Sequence, residues 1–355
     1  MNAPIVADPA ARTHEVTHFA DAAVWTGASV HQFAGWLHAR RGIVTASRMA
    51  ALLGCDPRQD ALDVYVDMVR PHAVEPTERD DEELDDPRLW GRVLEEPIAR
   101  TVARRLDWEL VMGGALLVSR RHPHIGATLD AEIRPRSVSE WFIYEGKTVS
   151  AWKLRDWDEE AGLPPDHILI QAQTQLLVTG APQCVVFALV GGNRPVRIPV
   201  YPDPELHAVM VEAVDELLER VAKLDPPPPT ARSEKAIKSL YPHESGARIV
   251  LPAEAREWTE ELQELARTRI DIEKREKEIK NRIRLSMGEA SFGELGELGG
   301  KPKLWKCVTR TQAPSVSPGW TARVLSLVND DQKRSASGDR TTNTARPQRR
   351  RARRA

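Results

Sequence analysis

Three charged residues near the middle of the chain could together carry chemistry, namely Asp130, Glu145 and Lys147. β-rich sequence surrounds them at residues 126–133 and 141–149, with a polar turn between. Side chains two apart in a strand point to the same face, so Glu145 and Lys147 project together, and a neighbouring strand can bring Asp130 beside them. Two carboxylates and an ammonium group are costly to bury together unless a cation and an anionic substrate join them. This combination is typical of metal-dependent phosphodiester cleavage.

Other readings of the polar residues have to be weighed against this one. Alone, Glu-x-Lys in a strand is also typical of a solvated face with a cross-strand ion pair. The histidines His122, His124 and His167 have no spacing that turns them towards a common ion, so they are interpreted as structural or surface residues. The three cysteines are far apart and form no C-x-x-C pair, which argues against a zinc or iron–sulfur site.

Length and composition narrow the class of protein. A chain of 355 residues is long enough for about two domains. The net charge of −2 conceals an acidic segment at residues 75–86 and a basic end at residues 333–355. No apolar run approaches the roughly 20 residues of a membrane span, and residues 1–15 lack the features of a signal peptide. With so few cysteines, the sequence predicts a soluble protein of a reducing cytoplasm.

Helices and strands alternate through the first two thirds of the chain. Apolar runs at residues 183–190 and 196–201 are typical of buried strands between helices, which indicates an α/β layer covered on both faces. Apolar spacing predicts a short helix that ends at Gly54. It also predicts longer helices over residues 31–40, 61–70, 89–106, 166–179 and 205–224.

The last third has a different character. Pro226 to Pro229 form a polyproline spacer, which marks the predicted domain boundary. Beyond it, Trp258, Leu265, Ile272 and Ile279 recur every seven residues, while Arg269 and Glu276 interrupt this partial heptad seam. Residues 304–310 could form a strand, and the composition of the basic end predicts disorder.

Four sequence blocks follow one another in a specific order. They are ARRGIVTAS at residues 39–47, GRVLEEPIA at 91–99, the pair GATLD and YEGK, and QAQTQLLVTG at 171–180. Together they resemble the YqaJ and lambda-exonuclease group of phage recombination nucleases, within the PD-(D/E)XK superfamily. The resemblance covers roughly residues 30 to 220.

The resemblance implies the fold and completes the domain boundaries. It implies an α/β PD-(D/E)XK nuclease core, with a central mixed sheet flanked by helices, followed by a helical C-terminal extension. The predicted parts are a flexible N-terminus at 1–28, the nuclease domain at 29–225, a linker at 226–250, a helical or coiled-coil extension with a small β segment at 251–325, and a basic disordered tail at 326–355.

Roles at the catalytic centre follow from the same resemblance. Asp130 and Glu145 are the expected ligands of Mg²⁺, with Mn²⁺ as a substitute, because these ions prefer oxygen ligands. Lys147 is expected to orient the attacking water and to hold the phosphate. Glu95 approaches the metal from the helix at residues 89–106. Glu96 is its alternative, although the family spacing selects Glu95.

Further polar residues are assigned around this centre. By resemblance, Gln171 supports the active site and Gln173 contacts DNA, although an ordinary polar helix face is the alternative for both. Arg40 and Ser47 match residues that contact DNA phosphates near the 5′ end, and an arginine is well suited to that contact. Arg41 could replace Arg40, and Ser47 could instead cap the helix that follows it.

Two positions depart from the family pattern. Leu129 stands where the superfamily has the proline that precedes its aspartate, so a rigid backbone residue is lost while the carboxylate is kept. Gly146 stands where a strand residue is usual. A glycine there indicates either a bulge or a close approach of the substrate backbone.

The resemblance leads to a functional hypothesis. We expect a Mg²⁺-dependent phage-type exonuclease that acts 5′→3′ on double-stranded DNA ends in the cytoplasm of a bacterial host. Its product strand would pass to a single-strand annealing protein, and the family implies a ring-like trimer. The alternatives are a non-catalytic protein that binds DNA ends, and an endonuclease or CRISPR-adaptation-like nuclease of the same superfamily. The missing four-cysteine cluster argues against the iron–sulfur members of that last group.

Overall fold

The chain divides into two compact units, residues 1–242 and 243–355. The computed structural model describes residues 17–29, 40–70, 84, 86–157, 162–298 and 301–306. The predicted helix before Arg40, nearly all of the acidic segment and the whole basic tail lie outside these ranges.

The described part of the first unit contains both strands and helices. Its strands are β1 Ala22–Ser29, β2 Val44–Thr45, β3 Trp108–Met112, β4 Ala115–Ser119, β5 Ile125–Thr128, β6 Ala131–Pro135, β7 Phe142–Val149, β8 Cys184–Val190 and β9 Arg194–Val200. Its helices are α1 Ala46–Leu52, α2 Ala61–Val69, α3 Pro87–Leu106, α4 Asp166–Thr179, α5 Pro204–Lys223 and α6 Glu234–Leu240. The predicted α/β class is therefore confirmed.

The central sheet has five strands in the order β3-β6-β7-β8-β9. β7 and β8 run parallel, whereas the other neighbouring pairs are antiparallel, so the sheet is mixed as predicted. α4 covers one face of β7, and the buried side chains of α3 pack with Tyr144 on the other. This two-sided cover explains why β8 is almost wholly apolar and buried.

A second sheet has the order β1-β4-β5-β2. The chain passes from this sheet to the central one between β5 and β6, and Asp130 lies at that crossing. The sequence predicts a single β stretch over residues 126–133. The structure instead breaks it at residues 129–130, because two different sheets take up its halves.

Two predicted boundaries need correction. Residues 22–28, predicted to be flexible, belong to β1, which pairs with β4. The predicted linker at 226–250 contains α6, and the first unit extends to residue 242. Asp60 ties the start of this segment to the first unit, because its carboxylate accepts hydrogen bonds from the hydroxyls of Thr230 and Ser233.

The second unit contains a long helix and a hairpin. The helix is α7 Ala255–Met287, and the strands β10 Phe292–Leu298 and β11 Lys301–Lys306 pair antiparallel after it. The heptad positions from Trp258 to Ile279 remain largely exposed, with Trp258 61 % and Ile279 44 % exposed. None of the described helices is long and apolar enough to cross a membrane.

We expect Asp60→Ala to destabilise the first unit more than an ordinary cap mutation does. Asp60 caps α2 through the Leu62 and Asp63 amides and also satisfies the hydroxyls of Thr230 and Ser233. Loss of the cap costs about 1 kcal/mol, and the buried Ser233 hydroxyl left without its acceptor adds roughly 1–3 kcal/mol. Urea unfolding of the full chain measures the difference.

Asp203→Ala is the matched control. Asp203 caps α5 through the amides of Glu205 and Leu206, and no side-chain hydroxyl is bound to its carboxylate among the described contacts. Its loss should cost about 1 kcal/mol. Equal losses in the two variants would contradict the anchoring role of Asp60.

Candidate active site

The carboxylate of Glu145 is completely buried in the middle of β7. A buried carboxylate is tolerated only when hydrogen bonds and an opposite charge replace water. Oε1 accepts from Lys147 Nζ and, at 2.6 Å, from Gln171 Nε2. Oε2 accepts from Gln175 Nε2 at 2.5 Å. One ammonium group and two side-chain amides thus replace water around the Glu145 carboxylate.

Lys147 projects on the same side of β7 as Glu145, as the strand spacing predicts. Its side chain is 26 % exposed. Burial lowers its pKa, but the charges of Glu145 and Asp130 outweigh burial, and the net pKa lies above the ordinary value. Lys147 therefore carries a positive charge at neutral pH.

Asp130 faces the same point from the crossing between the two sheets. Its Oδ2 accepts a hydrogen bond of 2.8 Å from the Gly146 amide. Its pKa lies well above the usual range, first because of burial and then because of the negative charges of Glu145 and Glu95, which Lys147 opposes. The structure thus brings together the three residues that the sequence singles out.

Two glycines that the sequence analysis missed hold the backbone at this point. The Gly113 amide donates to the Asp130 carbonyl at 2.9 Å, and the Gly114 amide donates to the Leu129 carbonyl at 3.1 Å. A Cβ atom at Gly113 would lie 2.0 Å from the Leu129 carbonyl oxygen, so no other residue fits without a shift. These contacts fix the segment where the family has a rigid proline.

Helix α3 brings Glu95 and Glu96 to the site. Both line the cleft, but only Glu95 contributes to the raised pKa of Asp130. Glu96 instead forms an ion pair of 2.6 Å with Arg100 one turn along the helix. This geometry agrees with the helix register that selects Glu95, whose role in catalysis stays a prediction.

A cleft of about 500 Å³ opens beside Asp130. Gln171, Arg40 and Ser47 line it together with Glu95 and Asp130. Arg40 Nη2 donates to Ser47 Oγ at 2.8 Å, so the predicted phosphate-contacting pair stands together. The cleft is therefore lined by carboxylates and also by a guanidinium group with hydroxyls.

The sequence analysis left an alternative open for each of Arg40 and Ser47, namely replacement by Arg41 and capping of the following helix. The N-cap position of α1 is Thr45, and its side chain makes no capping hydrogen bond. Ser47 lies inside the helix and therefore does not cap it. The hydroxyl of Thr45 accepts from Arg40 Nη2 at 3.0 Å, which adds Thr45 to the predicted pair. The side chain of Arg41 lies outside the described residues.

The prediction that Gln173 contacts DNA is wrong for this geometry. Gln173 is 4 % exposed, and its Nε2 donates to the Tyr201 carbonyl at 2.7 Å. Its Oε1 accepts from the Asp203 amide at 3.0 Å and lies 2.9 Å from His207 Nε2. The side chain joins α4 to the start of α5, away from the cleft.

Gln175 is a further residue that supports Glu145, and the sequence analysis missed it. It lies one turn after Gln171, so both amides point from the same face of α4 towards Glu145. Its side chain is fully buried, and its Oε1 is 3.8 Å from Cys184 Sγ. The helical spacing of four residues is the signal that would have found it.

The donor set is suited to a divalent cation. Within the described ranges, no three His, Cys, Asp or Glu side chains already stand as a ligand group for a metal ion. Mg²⁺ needs only one or two carboxylates, since it keeps water and phosphate oxygens in its shell. Asp130 with Glu145 or Glu95 supplies that number, and the mutual repulsion that raises the Asp130 pKa is the kind a cation relieves.

We expect Asp130→Asn to stabilise the metal-free protein increasingly as pH rises. The folded pKa of Asp130 lies above the unfolded value of roughly 3.9. The folded state thus keeps a proton that the unfolded chain loses, and wild-type stability falls as pH rises from ~4 through the folded pKa. The asparagine variant lacks this loss. Urea unfolding in EDTA at pH 4 and pH 7 measures the gain.

Asp156→Asn is the control for this pH titration, because that aspartate lies in an exposed segment. Its stability should follow the wild type at both pH values. A gain for Asp130→Asn that is the same at pH 4 and pH 7 would mean that Asp130 is not the group under electrostatic stress.

Comparison with known proteins adds a family to this geometry. Residues 35–182 match the model of the YqaJ-like viral recombinase domain. The Bacillus subtilis (strain 168) protein named "Uncharacterized protein YqaJ" is 25% identical over 270 residues, which are 74% of this chain and 80% of that protein. The match to the family model lies inside residues 30–220, the range over which the four sequence blocks resemble the YqaJ group. It confirms that resemblance.

Two solved structures of exonucleases are similar to part of this chain. The alkaline exonuclease LHK-Exo from Laribacter hongkongensis gives a TM-score of 0.41 with 20% identity, over 54% of this chain and 93% of that one. A phage related exonuclease from Haemophilus somnus 129PT gives a TM-score of 0.35 with 14% identity, over 51% of this chain and 94% of that one.

Proposed function

We propose, on the premise that residues 35–182 form a YqaJ-like viral recombinase domain, that this protein is a divalent-metal-dependent DNA exonuclease. It would act 5′→3′ on the ends of double-stranded DNA. The observation that carries the proposal is the meeting of Asp130, Glu145 and Lys147, of which Asp130 lines the cleft. Carboxylates that repel one another beside a lysine are expected at a site that binds a cation and a phosphodiester together.

Each residue has a distinct part in the proposed reaction. Asp130, Glu145 and Glu95 would hold Mg²⁺, or Mn²⁺ in its place, which supplies positive charge to the reacting phosphate. Lys147 would stabilise charge on the phosphate and orient the attacking water. Gln171 keeps the Glu145 carboxylate turned towards Lys147 without adding charge.

Two further residues of the cleft would bind the DNA backbone. Arg40 and Ser47 present a guanidinium and a hydroxyl to the cleft, which is a combination that binds phosphate oxygens. A terminal 5′ phosphate held there would set the polarity of digestion. The single strand produced would pass to an annealing protein, in a bacterial host cytoplasm, and a ring-like trimer would keep the enzyme on its substrate.

We expect an end-labelled linear duplex to be shortened from its 5′ end only when Mg²⁺ or Mn²⁺ is present. Asp130→Asn, Glu145→Gln and Lys147→Met should each lower the cleavage rate at least roughly 100-fold, because each removes a charge from the reacting point. Lys153→Met is the control, since Lys153 is exposed and lies beyond β7. A gel of the 5′- and 3′-labelled products measures both rate and polarity.

The same gel separates the alternatives. Binding of the duplex without shortening, with and without metal, would favour a non-catalytic protein that binds DNA ends. Cleavage of a closed circular duplex would favour an endonuclease. Full activity in EDTA, or in the Glu145→Gln variant, would contradict the metal mechanism itself.

Glu95→Gln should lower the cleavage rate far more than Glu96→Gln. Only Glu95 contributes to the raised pKa of Asp130, whereas Glu96 is engaged with Arg100 on the exposed side of α3. We expect at least a tenfold loss for Glu95→Gln, within the 10–100-fold range typical of groups that support a metal site, and less than threefold for Glu96→Gln. Rates at saturating Mn²⁺ measure both, and equal losses would contradict the assignment of Glu95.

A further inference from the structure

Tyr144 brings a polar group to the site from the other face of β7. It precedes Glu145, so the two side chains point to opposite faces of the strand. Its ring stacks against Phe187 with ring centroids 6.1 Å apart. The residue is completely buried, and its hydroxyl contacts no hydrogen-bond partner in the described part of the chain.

The position of this hydroxyl is defined by Gly146. A Cβ atom built on Gly146 would lie 3.7 Å from the Tyr144 hydroxyl oxygen and also 3.7 Å from Asp130 Oδ2. The same Cβ would lie only 3.2 Å from Tyr144 Cε1. The tyrosine ring therefore crowds any side chain at position 146, and the Tyr144 hydroxyl and the Asp130 carboxylate both lie next to that position. This contact accounts for the glycine where the family has a strand residue.

A hydroxyl in this position is costly unless it has a partner. A buried donor without one costs about 1–3 kcal/mol, and a buried tyrosine usually finds a partner for its hydroxyl. A phenol hydroxyl can donate to a carboxylate of the site and its oxygen can accept from a water molecule bound to a cation there, but it cannot donate to the cation itself.

We propose that the Tyr144 hydroxyl oxygen accepts a hydrogen bond from a water molecule of the divalent cation held at Asp130, which makes Tyr144 a positioning residue of the metal site. The inference rests on the proposed function, since it needs a cation at Asp130. It assigns a joint part to Tyr144 and Gly146: the glycine leaves the space, and the tyrosine brings a hydroxyl group to the metal site.

Tyr144→Phe tests this directly, because it removes the hydroxyl and keeps the ring. Calorimetric titration of the full chain with Mn²⁺, without DNA, should show a Kd raised about tenfold, which is typical for loss of a group that supports metal ligands. Thermal unfolding in EDTA should show a Tm equal to that of the wild type or higher, because an unpartnered buried hydroxyl is gone. A Kd less than threefold above the wild type overturns the proposal, whatever the Tm.

Tyr65→Phe is the matched control, because Tyr65 is 3 % exposed and belongs to α2, outside the residues that line the cleft. It should leave the Mn²⁺ Kd unchanged. An equal rise in Kd in both variants would also overturn the proposal, since the effect would then be general.

The wild-type arm distinguishes this inference from the proposed function. A wild type that binds Mn²⁺ and digests duplex ends, together with a Tyr144→Phe variant of equal Kd, removes only the role of Tyr144. A wild type that neither binds Mn²⁺ nor cleaves DNA removes the proposed function, and the inference falls with it.

Discussion

Burial of the Glu145 carboxylate is the constraint on which the rest of the site depends. The side chain has no solvent exposure, so the protein must supply every partner that water would supply. Lys147 comes from the same strand, whereas Gln171 and Gln175 come from α4. If β7 shifted relative to α4, the buried Glu145 carboxylate would lose its hydrogen-bond partners. The parallel pairing of β7 with β8 and the packing of α4 build the apolar core, and they also hold the partners of Glu145 in place.

The acids of the site work against the stability of the fold. Burial and the nearby carboxylates make the charged form of Asp130 unfavourable, which the single charge of Lys147 opposes. The stress persists because the backbone around Asp130 is held by Gly113, Gly114 and Gly146 through their amides. A cation would convert this repulsion into attraction. Electrostatic stress of this kind is expected where binding of a metal and an anion has been favoured over stability.

The sequence predicts those parts of the site that depend on short-range spacing. Glu145 and Lys147 share a strand face, and Glu95 has the helix register that brings it to Asp130. The break at Asp130 was not predictable, because it depends on two sheets that pair with different strands. The error at Gln173 has a simpler cause. Residues two apart on a helix face different ways, so Gln173 points to α5, whereas Gln175, four residues from Gln171, points to Glu145.

Both departures from the family pattern have a compensating residue that is distant in sequence or on the opposite face. Leu129 gives up the rigidity of a proline, and hydrogen bonds from Gly113 and Gly114 hold that backbone instead. Gly146 gives up a side chain, and the ring of Tyr144 occupies the space. A motif compared position by position records each change as a loss. In the folded chain the same functions, a fixed carboxylate and a filled strand face, are supplied by other residues, so the departures are consistent with an intact site.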